Sequence, residues 1–126
     1  MRIEELRIGN IGIFDGKYAQ VLEIREDGLK VFVKDAGIFE DPNGITFESA
    51  PLTEKWLEWF GFEKDEDGVW DYNQSMWSCE ISGDDDSFYF KKLGLDILCP
   101  DVLYVHQLQN LFFAMEQSKM NNESLQ

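Results

Sequence analysis

Turn signals set close together along the first third of the chain constrain its fold more than any other feature. Asp15-Gly16, Asp27-Gly28 and Pro42-Asn43-Gly44 separate β-prone runs that fit the short strands of a meander. LRIGNIGIF, YAQVLEIR and LKVFVK read as the first three strands, and Ile45 to Glu48 as a fourth. Alternation in the second run sends Tyr18, Gln20, Leu22 and Ile24 to one face and Ala19, Val21, Glu23 and Arg25 to the other. Four or five such strands predict a small antiparallel sheet, curled or closed as an SH3-like barrel.

The segment PLTEKWLEWFGF interrupts this pattern with a short helix. Thr53 stands at the capping position, Leu52 and Leu57 occupy the two places of a hydrophobic staple, and Gly61 provides the left-handed stop. Trp56, Leu57 and Phe60 share one helical face, with Trp59 to its side. Beyond a charged turn, VWDY, MWSCEI and SFYFKKL predict a second set of strands, the last two joined by Ser82-Gly83-Asp84-Asp85-Asp86 as a hairpin. A C-terminal helix follows, in which Val105, Leu108, Leu111, Phe112 and Met115 recur at helical spacing. The expected class is α+β: a small antiparallel sheet or SH3-like barrel and a second hairpin, packed with one short and one C-terminal helix. No repeat or linker divides the 126 residues, so one domain is expected over 1–119, with a frayed tail at 120–126.

Of 25 acids and 11 bases, giving a net charge of −14, the distribution is the informative part. Residues 1–34 hold six of each, whereas the stretch from Asp35 to Asp101 holds 17 acids against Lys55, Lys64, Lys91 and Lys92, a net charge of −13. Direct binding to nucleic acid is disfavoured, because phosphate neutralisation needs a basic surface. The start MRIEELRIGN has acids where a signal peptide needs an apolar run, and no apolar stretch is long enough to span a bilayer, so a cytoplasmic protein is expected. Cys79 and Cys99 accordingly read as buried thiols rather than a disulfide.

Catalytic chemistry finds little footing. His106 is the only histidine, and its spacing from Cys79 and Cys99 is not that of a zinc motif. Its helical neighbours Gln109, Asn110 and Phe113 put it opposite the apolar stripe, where an exposed or end-capping histidine is expected. There is no G-x-S-x-G elbow, no phosphate loop and no EF-hand ligand pattern around Asp84, Asp85 and Asp86, so neither a cofactor nor a metal site is expected. The aromatic set Trp56, Trp59, Trp70, Tyr72, Trp77, Phe88, Tyr89 and Phe90 is large for so small a domain, and some members are expected at the surface beside the acids.

The wording of three segments is familiar. Leu6 to Asn10 as an L-R-x-G-N strand, the P-L-T-E-x-W-L-x-x-F-G-F helix and the closing Y-V-H-x-L-Q-N-L helix resemble short proteins encoded by phages and prophages. The resemblance brings no general activity and transfers no catalytic residue, since the shared positions read as caps, staple and core. What it implies is a setting in which small acidic proteins disable host defence. Together with the charge, it leads to the expectation of a non-enzymatic, anti-CRISPR-like inhibitor imitating the phosphate field of a nucleic acid in the basic channel of an RNA-guided nuclease. The expected partner-binding anions are Asp65, Glu66, Asp67, Asp71, Asp84, Asp85 and Asp86. A phage assembly or replication accessory, binding through aromatics or a strand edge, is the alternative, and an enzyme with paired buried acids ranks third.

Overall fold

The computed structural model describes residues 3–72, 77–81, 88–92, 97–98, 102–116 and 124–125. Residue contacts group the chain into two compact units, one formed by Met1–Pro51 with Tyr104–Gln126, the other by Leu52–Leu103. The second is thus an insertion in the sequence of the first. Its ends are tied by the Leu52 amide, which donates to the Leu103 carbonyl at 2.9 Å.

In the first unit, a single 3-10 turn at Ile3–Glu5 leads to β1 (Ile11–Phe14), β2 (Lys17–Arg25), β3 (Gly28–Val33), β4 (Gly37–Pro42) and β5 (Phe47–Ser49). These pair antiparallel in the order β4-β3-β2-β1-β5, an open sheet rather than a closed barrel. Its inner face carries Ala19, Val21, Leu29, Val31, Val33 and Phe47, with Ile3, Leu6, Phe14 and Ile24 packed against them. Gly12 is required in β1, since a side chain there would run into the Phe47 ring and the Glu48 carbonyl.

Three sequence expectations change here. A register shift between Val21 and Glu23 flips the strand, so Ile24 joins Ala19 and Val21 instead of Tyr18 and Gln20. The segment Leu6–Asn10 is a turn, not a strand: Gly9 has φ 97°, and the Asn10 side chain accepts the Arg7 amide at 2.6 Å. The fourth strand expected over Ile45–Glu48 starts two residues later, as β5, and an unexpected strand, β4, precedes it. Asp41, buried in β4, accepts the amides of Thr46 at 3.1 Å and Phe47 at 2.8 Å, which fixes the return of the chain and leaves Ile45 outside the sheet.

The inserted unit begins with α1 (Glu54–Phe60), with Thr53 at the N-cap and Gly61 left-handed at φ 103°. Thr53 makes no side-chain capping bond; its carbonyl accepts the Trp56 and Leu57 amides. Trp56, Leu57 and Phe60 are buried as the helical face requires. A second antiparallel sheet follows in the order β6 (Phe62–Lys64), β7 (Trp70–Tyr72), β8 (Trp77–Ile81), β9 (Phe88–Lys92) and β10 (Ile97–Leu98). The Ser82–Asp86 loop expected between β8 and β9 lies outside the described residues. Phe62, Trp70, Tyr72, Cys79 and Phe90 are buried, with the Phe62 ring 4.9 Å from Tyr72 and 5.9 Å from Phe90. Of the aromatic set, some members of which are expected at the surface, Trp56, Trp70, Tyr72, Phe88 and Phe90 are buried and Trp59 is half-buried, while the side chains of Trp77 and Tyr89 lie outside the described ones. Strand register gathers Phe62, Trp70, Tyr72, Phe88 and Phe90 on one side of this sheet, which the count of aromatics alone does not reveal. Exposed aromatics occur instead in the first unit, at Tyr18, Phe39 and Phe113.

The closing helix α2 (Val105–Glu116) belongs to the first unit. Val105, Leu108 and Phe112 are buried as expected, but so are His106 and Gln109, against the expectation of an outward-facing histidine. The buried arc of the helix is rotated toward its amides, because Gln109 has backbone partners in the turn preceding β1. None of the described helices is long and apolar enough to cross a membrane.

Candidate functional site

The expected anions fall on one element where they are described. β6 and β7 form a hairpin with registers Phe62↔Tyr72, Glu63↔Asp71 and Lys64↔Trp70. Its turn is built by Asp65, whose Oδ1 accepts the amides of Asp67 and Val69, each at 2.9 Å, while the Asp65 amide donates to the Val69 carbonyl at 2.8 Å. Asp65, Glu66 and Asp67 are exposed at the tip. Asp71 is half-buried on β7, directly opposite exposed Glu63. Asp84, Asp85 and Asp86 lie outside the described residues.

Glu63 is a member of this row that the sequence reading missed. The Asp65 to Gly68 turn was its signal, since a hairpin closed there sets Glu63 across from Asp71. Like charges directly opposite one another cost stability in an isolated hairpin. The single lysine of the hairpin does not relieve them. Lys64 alternates to the other face, where its Nζ lies 3.6 Å from the Glu54 carboxylate on α1 and 5.8 Å from the Trp70 ring centroid. The hairpin therefore offers Glu63, Asp65, Glu66, Asp67 and Asp71 with its own lysine turned away, and the register across the sheet runs from Asp71 through Ser78 to Lys91.

Charges on the first sheet are arranged differently. Arg25 bonds Glu23 at 2.7 Å and Glu40 at 3.1 Å, and Lys30 approaches Glu23 at 4.0 Å. The Arg25 hydrogen bond, with Lys30 behind it, lowers the Glu23 pKa, and Glu23 in turn raises that of Arg25. The open depression beside this cluster measures about 140 Å³ and is lined by Arg25, Asp27, Glu40 and Asp41 among others. That is below the roughly 300–1,000 Å³ of small-molecule sites.

His106 is not a catalytic candidate in this setting. It is buried, stacks on Tyr104 at 5.9 Å, and its Nδ1 has no hydrogen-bond partner. Burial lowers its pKa, with the Glu5 carboxylate opposing. Cys79 is buried, and no group of three or more potential metal ligands occurs among the described residues.

The Leu6–Asn10 turn and α2 meet at a polar clamp. Gln109 Nε2 donates to the Gly9 carbonyl at 3.0 Å and its Oε1 accepts the Ile11 amide at 2.8 Å. Asn10 Nδ2 donates to Asn110 Oδ1 at 2.8 Å, and Asn110 Nδ2 donates to the Glu5 carbonyl at 3.0 Å. Arg7 lies over the Phe113 ring at 4.4 Å. The G-N and Q-N pairs thus hold the helix to the sheet, which gives them a structural use. Neither protein-family models nor curated proteins nor solved structures gave a match to this chain.

Proposed function

We infer that the protein is a non-enzymatic, anion-presenting inhibitor that occupies the basic nucleic-acid channel of a bacterial defence nuclease. The observation that supports this most is the β6–β7 hairpin, where Glu63 and Asp71 face each other, Asp65, Glu66 and Asp67 crown the tip, and Lys64 is engaged elsewhere. Residues along one face of a strand recur about every 6.6 Å, so a hairpin can display charges in a polyanion-like row. A partner's Lys and Arg side chains would relieve the Glu63–Asp71 repulsion on binding, so the cost built into the free hairpin becomes affinity for a cationic channel. The phage-type resemblance makes an RNA-guided nuclease the target of choice, and the bacterial cytoplasm the place of action. Asp84, Asp85 and Asp86 extend the proposed surface in sequence.

The test is competition. A guide-loaded nuclease is incubated with labelled target DNA and increasing protein, at low and at high salt, and DNA binding is followed by mobility shift. Displacement that weakens with salt, and that is lost in Glu66→Lys/Asp67→Lys/Asp71→Lys, is the expected result. Glu26→Lys/Asp27→Lys/Glu48→Lys, the same change of charge made in the first unit, serves as the control. DNA binding unaffected by the wild-type protein at low salt rejects the reading for that nuclease class.

A second reading has its own observation. β4 is an edge strand of the first sheet and carries exposed Ile38 and Phe39, a surface suited to strand addition by an assembly or replication partner. Binding that survives reversal of the hairpin charges but is lost in Ile38→Lys would favour it.

A further inference from the structure

Of the outermost strands of the two sheets, β5 and β6 have three residues and β10 two, whereas β4 has six. Its ladder with β3 decides which backbone groups face outward. Gly28 stands opposite Pro42, and the Asn43 amide donates to the Asp27 carbonyl at 2.7 Å, so Gly28 and Pro42 form a non-hydrogen-bonded pair. The register runs unbroken from there to Gly37. Asp41, Phe39 and Gly37 therefore bond to β3, while Ile38 and Glu40 turn their N–H and C=O groups away from it. Among the described residues, nothing outside the sheet bonds to those groups. The side chains tell the same story. Val21, Val31 and Phe39 stand in one cross-strand row, 1% and 0% exposed at the first two but 42% at Phe39, whose ring lies 5.8 Å from that of Phe14. The row is buried up to the strand at which the sheet stops.

We propose that β4 pairs antiparallel with β4 of a second copy of the chain, about a two-fold axis through Phe39, so that the first sheet continues across a dimer. The backbone selects this register. Centring on Phe39 sets Ile38 opposite Glu40 of the copy and Glu40 opposite its Ile38, so every outward N–H and C=O of the strand between Gly37 and Asp41 finds a partner. Centring on Glu40 would set two carboxylates directly opposite one another and Ile38 against Pro42, which has no N–H. Centring on Ile38 would leave Glu40 facing Ala36, outside the strand. Side chains favour the same choice. Phe39 meets Phe39 at a non-hydrogen-bonded position, where side chains come closest, and Gly37, with open space where a Cβ would stand, meets Asp41. Glu40 does not oppose the pairing, because Arg25 holds its carboxylate at 3.1 Å and Lys30 stands opposite it on β3. A contact of one short strand is small, so the dimer is a weak one that builds up with concentration. It involves the first unit alone, and it and the acidic hairpin can each fail without the other.

The experiment is sedimentation velocity of the full-length chain from about 10 µM to about 1 mM, where a monomer–dimer equilibrium should appear. Added salt should strengthen the dimer, since each copy carries a net charge of −14. Ile38→Pro deletes one outward N–H and leaves the bonds to β3 in place, so it should weaken the dimer about tenfold or more with circular dichroism unchanged. The register is read by cross-linking. Phe39→Cys should form an intermolecular disulfide through residue 39 on mild oxidation, about tenfold or more faster than Ile38→Cys does through residue 38, whose two copies lie diagonal to one another. An Ile38→Pro dimer as strong as that of the wild type, or equal cross-linking at both positions, would overturn the proposal. So would a monomer at every concentration and salt, which would leave the edge to a strand from a different protein.

Discussion

The two units treat charge in opposite ways. In the first, acids and bases are interleaved and used: Arg25 bridges Glu23 and Glu40, Asp41 ties down a turn, and the uncharged amides of Gln109 and Asn110 satisfy the backbone of the segment before β1. In the second, 13 acids stand against four lysines, and the described hairpin sets Glu63 against Asp71 with its lysine committed to Glu54. The paired charges of the first unit stabilise it; the like charges in register on the inserted unit are the feature from which the proposed function is argued. The aromatic side chains sharpen the contrast. Among the described side chains of the acidic unit, Trp56, Trp70, Tyr72, Phe88 and Phe90 are buried and Trp59 is half-buried, so there the anions of the hairpin are more exposed than these rings.

Breaking each unit in turn tests the contrast. The largest effect is expected from Phe90→Ala, which removes a fully buried ring next to Phe62 and should cost about 3–5 kcal/mol. All four tryptophans belong to the inserted unit, so the urea midpoint followed by tryptophan emission reports it directly. Gln109→Leu comes next. It strands the Ile11 amide and withdraws a donor from the Gly9 carbonyl, and should cost about 2–3 kcal/mol. Its readout is hydrogen exchange at Val21 and Val31, with a smaller change in tryptophan emission. Equal shifts in both probes would mean that the units unfold as one and that the contrast is one of surface only.

A pH effect follows from His106. Because burial lowers its folded-state pKa below the unfolded 6.5, the unfolded chain binds the proton more readily. The stability it confers is complete above pH 6.5 and is lost as the pH falls from there to the lowered value. Protection of the first unit should therefore decline on acidification through this window, and His106→Phe should flatten the decline. The smallest effect is expected from Glu63→Gln, which should stabilise the inserted unit by roughly 0.2–1 kcal/mol by removing one of two facing carboxylates. A loss of stability instead would show that the pair is not a strained feature of the free protein.

Much of this was legible in the sequence where a local rule decides the outcome. Thr53, Gly61 and the Trp56, Leu57, Phe60 face placed α1 within its observed bounds, and the Asp15-Gly16 turn placed the β1–β2 hairpin. What was not legible depended on partners distant along the chain or on broken patterns. β4 is written GIFEDP, with a proline, two acids and no alternation, and it is held by pairing with β3 and by Asp41 rather than by propensity. Gln109 and His106 read as outward-facing because they share the helical face opposite the apolar stripe, and only the Gly9–Ile11 backbone, some 100 residues earlier, explains why Gln109 turns inward. The acidic site was half legible: Asp65, Glu66 and Asp67 stand out as a run, while Glu63 joins them only through strand register.

One paired measurement bears most directly on the account. Three acids are reversed to lysine in the inserted unit, at Glu66, Asp67 and Asp71, and three in the first, at Glu26, Asp27 and Glu48, so that both variants carry the same net charge. Affinity for a guide-loaded nuclease is then measured against salt. Loss of binding and of its salt dependence in the first variant, with the second close to wild type, is the predicted result. Equal losses in both would show that net charge alone attracts the partner, and would contradict a function seated on the β6–β7 hairpin.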